Sequence, residues 1–176
     1  MDPAGLVNIR PLSGPDLEAA LPALARLRID VFRAFPYLYE GSLAYEETYL
    51  RTFSAARDAL IVAAETDDGV IAGCATGSGM DDQHAEFAQP LKAAGYDLAT
   101  TFYFGESVLL PAYRGHGIGH AFFDAREAHA LAHGRFSPDI AHVQAVALPI
   151  LRHRLVRNYK AEAEGVTVDR IVTEIL

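Results

Sequence analysis

Short apolar runs alternate along the chain with stretches whose apolar residues recur every three or four positions, and these two rhythms divide it into strands and helices. Val7 to Pro11 reads as a first strand. Ser13-Gly14-Pro15-Asp16 carries turn and capping residues for one helical turn, which Pro22 interrupts. Proline is tolerated at a first helical position, so a longer helix is expected to start at Pro22. Leu24, Leu27, Val31 and Phe35 give that helix a core-facing stripe, and Pro36 ends it. Tyr45, Tyr49 and Phe53, each four apart, predict a second helix. Leu60 to Ala64 and Val70 to Thr76 are β-type runs joined by Asp67-Asp68-Gly69, a hairpin turn sequence. Residues 79–100 are polar and punctuated by glycine, with a short helix expected near Glu86 to Ala94. Phe102 to Leu110 is a strong strand, Gly117 to His133 a helix with Gly134 as its C-cap residue, and Ile140 to Ala147 another strand. Pro149 to Ala163 has helical character, and Val166 to Leu176 alternates like a closing strand. The expected order β-α-α-β-β-β-α-β-α-β describes a mixed α/β (α+β) fold around one sheet with an antiparallel part.

The length of 176 residues suits one domain, and no repeat or long linker divides it, so a single domain over 1–176 is expected. Hydrophobic residues make up 51% and charged residues 22%, ordinary for a globular protein with a real core. No apolar run reaches the length of a membrane span, and Met1-Asp2-Pro3-Ala4-Gly5 lacks a signal-peptide pattern. The single cysteine, Cys74, cannot form an internal disulfide; this agrees with a reducing compartment, and the cytoplasm is the default. Fifteen Lys and Arg against 23 Asp and Glu leave a net charge of −8. That balance argues against a nucleic-acid partner and favours a cationic one, such as an amine. A local anion site remains open to such a chain if it is built from backbone N–H groups and a few arginines.

The informative stretch is Val108-Leu109-Leu110-Pro111-Ala112-Tyr113-Arg114-Gly115-His116-Gly117-Ile118-Gly119-His120. A strand runs into a glycine-rich loop and then a helix, whose first N–H groups lack intrahelical partners and carry the positive end of the dipole. Such a terminus binds phosphate, glycines let the backbone approach the anion, and Arg114 adds a charged fork. The chemistry implied is a pyrophosphate seated on backbone amides. A P-loop would need Lys-Ser or Lys-Thr, which is missing. A dinucleotide fingerprint would need glycine where His120 stands.

Arg114-Gly115-His116-Gly117-Ile118-Gly119, after a strand ending hydrophobic-x-Pro-x-Tyr, resembles motif A of the GCN5-related N-acetyltransferase (GNAT) superfamily, and the element order is similar from Val7 to about Ala147. The resemblance implies a central, mostly antiparallel sheet splayed between its fourth and fifth strands, with helices on both faces. It implies an N-acetyltransferase using acetyl-CoA as co-substrate and the primary amine of a small acceptor, which the negative charge balance favours as cationic. The amides of Gly115, His116, Gly117, Ile118, Gly119 and His120, with Arg114, would hold the pyrophosphate, and the backbone of Val108 and Leu109 would pair with the pantetheine arm. A backbone N–H near the strand end would polarise the thioester carbonyl. Similar proteins are often dimers, so a homodimer is among the expectations.

The same resemblance directs the search for an acid, a base and an acceptor wall. Glu106, a carboxylate in an otherwise apolar strand, is the candidate general base, with partial burial raising its pKa; pairing with an arginine is the competing structural role. Tyr103 is a weaker alternative base. Tyr159 is the candidate general acid, although Gly165-Val166 follows it at a wider spacing than the family's glycine-aromatic pair. Tyr37, Tyr39 and Glu40, with Phe35 and Tyr45 beside them, lie where the first two helices meet and would form the acceptor wall by cation–π and ionic contacts, or simply pack. Asp81 and Asp82 would add charge to the acceptor mouth or serve as turn residues. His129 and His133, like His116 and His120, are four apart, but the glutamate of a zinc motif is missing and no metal is expected. Cys74 reads as a small buried residue. Two alternatives stay open: an acyltransferase using another acyl-CoA, and a CoA-binding module that senses without catalysing.

Overall fold

Leu60, Val62 and Ala64 bury on one side of their strand while Ile61 and Ala63 bury on the other, so this short run is apolar throughout because both faces of the sheet are covered. The computed structural model describes residues 7–136, 151–152 and 155–175. The elements are β1 (Val7–Leu12), α1 (Gly14–Arg33), α2 (Leu43–Ser54), β2 (Leu60–Thr66), β3 (Ile71–Gly79), α3 (Ala85–Ala93), β4 (Phe102–Leu109), α4 (Ile118–Ala132), α5 (Tyr159–Ala163) and α6 (Val168–Ile175). Strands pair in the order β1-β2-β3-β4, all antiparallel. The β2–β3 turn closes as the Asp67-Asp68-Gly69 signal predicts, with the Thr66 amide bonded to the Val70 carbonyl and Gly69 at a φ of 82°. Leu17, Leu21, Leu24 and Leu27 of α1 and Leu50 of α2 fill one face with Ile61, Ala63, Cys74 and Val108. Ile118, Phe122 and Ala130 of α4 fill the other with Val62, Ala75 and Phe102. Helices thus lie on both faces of a mixed α/β fold.

Four expectations change. The first helix does not begin at Pro22 but runs through it from Gly14 to Arg33. Leu17, Ala20 and Leu21 before the proline and Leu24, Ala25 and Leu27 after it share one buried stripe, and that burial outweighs the hydrogen bond the proline cannot donate. Phe35 lies beyond the helix end and is 84% exposed, so it does not extend the stripe. The closing segment is helix α6 rather than a strand: Val168, Ile171, Val172 and Ile175 fall at i, i+3, i+4 and i+7, and the Arg170 amide donates to the Thr167 hydroxyl ahead of the first turn. Within 149–163, Leu155–Asn158 is not helical; α5 begins only at Tyr159, where the Asn158 side chain accepts from the Ala161 amide at 2.9 Å.

The chain divides into two compact units, Met1–Ser137 and Pro138–Leu176. The fifth strand expected at 140–147, and the splay beside it, lie outside the described residues. On the outer edge of β4 a parallel bridge joins Thr101 to Phe136, and the Phe102 amide donates to the Phe136 carbonyl at 3.0 Å. Among the described residues no helix is long and apolar enough to cross a membrane.

Candidate active site

The register between β3 and β4 breaks once. Gly73, Cys74 and Ala75 face Leu109, Val108 and Ser107, whereas Gly77, Ser78 and Gly79 face Phe104, Tyr103 and Phe102. Thr76 therefore opposes two residues, Gly105 and Glu106, which is a β-bulge. The extra residue inverts the alternation of β4. Phe102 and Phe104 pack on the α4 side of the sheet, but Val108 belongs to the core under α1 and α2, and Glu106 turns to that side as well. The bulge also changes which backbone groups look outward. The Leu110 amide bonds the Ala72 carbonyl at 2.9 Å, so by antiparallel alternation Val108 shares its backbone bonds with Cys74, while Ser107 and Leu109 present theirs to the outer edge. Of the two residues singled out from the sequence, Val108 turns its backbone groups to β3 and Leu109 turns them away from it, as does Ser107, which the sequence reading did not single out.

Glu106 reaches a buried ionic cluster. Its carboxylate contacts the Arg28 guanidinium, and Arg28 Nε donates to Glu46 Oε2 at 2.5 Å. The Tyr39 hydroxyl donates to Glu46 Oε1 at 2.7 Å. Arg28 is 6% exposed and Glu46 1%. The guanidinium also lies 4.5 Å from the Tyr49 ring centroid and 5.4 Å from that of Phe32. The hydrogen bond to Glu46, helped by desolvation, pushes the Tyr39 phenol up to about 12. A Cβ at Gly41 would strike the Tyr39 ring, so that glycine is what lets the ring fold back towards Glu46. The competing structural role of Glu106, partner of an arginine, is thus present in the fold. Arg28 and Glu46 were missed, although each interrupts an apolar stripe: Arg28 stands four after Leu24, and Glu46 four before Leu50.

The loop after β4 is an open cradle. The Arg114 amide closes a tight turn onto the Pro111 carbonyl, and its guanidinium donates to the Leu109 carbonyl from Nε at 3.3 Å and Nη2 at 3.2 Å. Gly115 and Gly117 adopt φ of 82° and 79°, a conformation that favours glycine. The next amide with a backbone partner is that of Ala121, bonded to the Gly117 carbonyl at 3.1 Å. Among the described residues no backbone carbonyl accepts from the amides of residues 115–120. Among the described residues, a Cβ at Gly115, Gly117 or Gly119 would meet nothing within 4 Å. His116 and His120 are exposed, whereas Ile118 is buried and anchors the first turn of the 15-residue helix α4. Six donors with the positive end of a helix dipole behind them suit a phosphate or pyrophosphate.

The remaining candidates separate. Tyr37 is exposed with its ring edge-on to Phe32 at 5.1 Å, and Tyr45 and Glu40 are exposed as well. Tyr103 is half-buried against Phe87. Tyr159 opens α5 in the 138–176 unit and is 87% exposed. Asp81 pairs with Arg57 and Arg135, and Asp82 accepts from the Arg57 amide, so both hold the turn after β3. Cys74 is fully buried, which pushes its thiol up to about 12 and leaves no thiolate for acyl carriage. His129 and His133 spend ring nitrogens on the carbonyls of Asp58 and His129. Among the described residues no three His, Cys, Asp or Glu side chains are grouped to hold a metal ion.

A family model described as the acetyltransferase (GNAT) family matches residues 24–145, and a second, the AAA lid domain, matches only the shorter stretch 116–175. No curated protein matches. Among solved structures, the aminoglycoside antibiotic 6'-N-acetyltransferase AAC(6')-Ig from Acinetobacter haemolyticus is 19% identical, with 86% of this chain and 91% of that chain covered and a TM-score of 0.54. The aminoglycoside N-acetyltransferase AAC(6')-Iy in complex with CoA is 16% identical, covering 90% of this chain and 93% of that one at a TM-score of 0.55. A GCN5-related N-acetyltransferase from Kribbella flavida is also 16% identical, covering 73% and 67% at a TM-score of 0.50. The family model spans most of the chain, including the β4 bulge and the glycine loop, and the protein belongs to the acetyltransferase (GNAT) family.

Proposed function

We propose that the protein is an acetyl-CoA-dependent N-acetyltransferase acting on a small cationic amine. The observation that carries this reading is the row of amides from Gly115 to His120, without backbone partners among the described residues, at the N-terminus of α4. They would bind the CoA pyrophosphate, with Arg114 beside them and the outward backbone groups of Ser107 and Leu109 on β4 pairing with the pantetheine arm. The acyl donor supplies a thioester ready for attack. An outward amide of β4, that of Ser107 or Leu109, is a suitable donor to its carbonyl oxygen as negative charge develops there. Glu106, oriented by Arg28, would take the ammonium proton directly or through one water. Tyr159 is proposed to return a proton to the leaving thiolate. Two carboxylates around one guanidinium leave the Glu46–Arg28–Glu106 cluster with excess negative charge, and the tyrosines at the α1–α2 junction offer aromatic faces. Both favour a cation. Matched structures that are aminoglycoside acetyltransferases support a small-molecule amine as acceptor.

The test is thiol release from acetyl-CoA over a panel of amino acids, polyamines and aminoglycosides. Release with at least one cationic amine is expected, and Glu106→Gln should lower kcat by about 10²–10⁴-fold while CoA affinity holds. Tight CoA binding with no release from any acceptor would favour the sensing module, for which the pairing of Glu106 with Arg28 is the supporting observation. Absence of CoA binding would defeat both readings.

A further inference from the structure

The β4 bulge is held by a side chain from the neighbouring strand. Thr76 is fully buried, and its hydroxyl accepts from the Glu106 amide at 3.1 Å. In a regular ladder that amide faces a β3 carbonyl; at the bulge the Thr76 hydroxyl stands within reach of it as an acceptor. Gly105 makes room, because a Cβ there would lie 2.5 Å from the Thr76 hydroxyl oxygen. Behind the bulge, on the α4 side, Arg126 is 2% exposed and directs Nη1 at the carbonyls of Thr76 and Glu106, both at 3.5 Å. Its guanidinium lies over the rings of Phe104 and Phe123, 4.5 and 4.7 Å from their centroids. Both strands are therefore gripped at the one place where their register breaks.

We propose that Thr76 is a positioning residue for acyl transfer: its hydroxyl, admitted by Gly105 and backed by Arg126, fixes the bulge that turns Glu106 towards Arg28 and the backbone of Ser107 towards the outer edge of β4. Without that grip β4 relaxes towards regular alternation, which returns residue 106 to the α4 face and shifts the outward amides by one. This rests on the acetyltransferase reading. Thr76 is not part of the Gly115–His120 cradle, so its loss acts on turnover more than on CoA binding.

Thr76→Val keeps the shape and removes the acceptor. The expected result is a kcat roughly ten-fold or more below wild type, on the scale of a lost buried hydrogen bond, with a smaller loss of affinity for CoA. Thr76→Ser should restore most of the rate. Amide hydrogen exchange at Glu106, read by NMR, should be faster in Thr76→Val and normal in Thr76→Ser, whatever the acceptor. Gly105→Ala, which pushes the hydroxyl aside from the opposite strand, should behave like Thr76→Val and carries the test if that variant does not fold. A folded Thr76→Val or Gly105→Ala with wild-type kcat and wild-type exchange at Glu106 would overturn the positioning role alone. A wild-type protein that releases no thiol with any amine would remove the acetyltransferase reading beneath it.

Discussion

Arg28 sits 6% exposed among two carboxylates and two aromatic rings, so the fold depends on its charge more than on its bulk. Replacing it with methionine keeps much of the packing but strands Glu46, which is 1% exposed, with no cation beside it. Arg28→Met should destabilise the protein by about 3–5 kcal/mol, the cost of breaking a buried ion pair from one side. Urea unfolding followed by far-ultraviolet circular dichroism measures this; a loss below about 1 kcal/mol would show that the cluster is well solvated. Such a pair is only half legible in sequence. A charge within an apolar helical stripe is visible at Arg28, but its partners stand 18 and 78 positions away, and local periodicity says nothing about which strand face will meet which helix. Glu106 is the converse case. As an isolated carboxylate in an apolar strand it was conspicuous, while its partner was not.

At the level of elements, amphipathic rhythm locates most segments and backbone exceptions account for the rest. Pro22 reads as a helix start, yet α1 passes through it because leucines on both sides bury together. Pro22 itself is exposed, so Pro22→Ala should restore the bond to the Glu18 carbonyl without disturbing the core. We expect a gain of about 1–3 kcal/mol, below the full penalty for an interior proline because the unfolded chain gains freedom too. A variant no more stable than wild type by thermal unfolding would mean that the helix already bends around the proline at no cost. The closing helix α6 was mistaken for a strand because Val166, Val168 and Val172 satisfy alternation as well as a helical stripe, and valine favours strands. The bulge left one trace, Gly105 inside a strand. Its consequence, the inversion that brings Glu106 and Val108 to the α1 side, could not be read without the pairing partner.

Across the molecule, the covered sheet does two things at once: α1 and α2 bring the Arg28 cluster to one face, and α4 brings its N-terminus to the end of β4. The glycine loop was legible because its demand is local: positive φ at Gly115 and Gly117 and unpaired amides at a helix start are written in a few adjacent residues. An acceptor wall at Tyr37, Tyr39 and Glu40 is less legible, because aromatic residues at a helix junction suit packing and recognition equally. The net charge of −8 gives the chain a field that repels a polyanion such as CoA at long range, so on the proposed reading affinity would have to come from the amide cradle and short-range contacts with Arg114. The most direct measurement is a titration of the isotope-labelled protein with CoA, following backbone amide resonances. The largest shifts should fall on Gly115 to His120, with smaller ones at Ser107 and Leu109. Saturable CoA binding that leaves the amides of Gly115 to His120 unmoved, or no binding at all, would contradict the account.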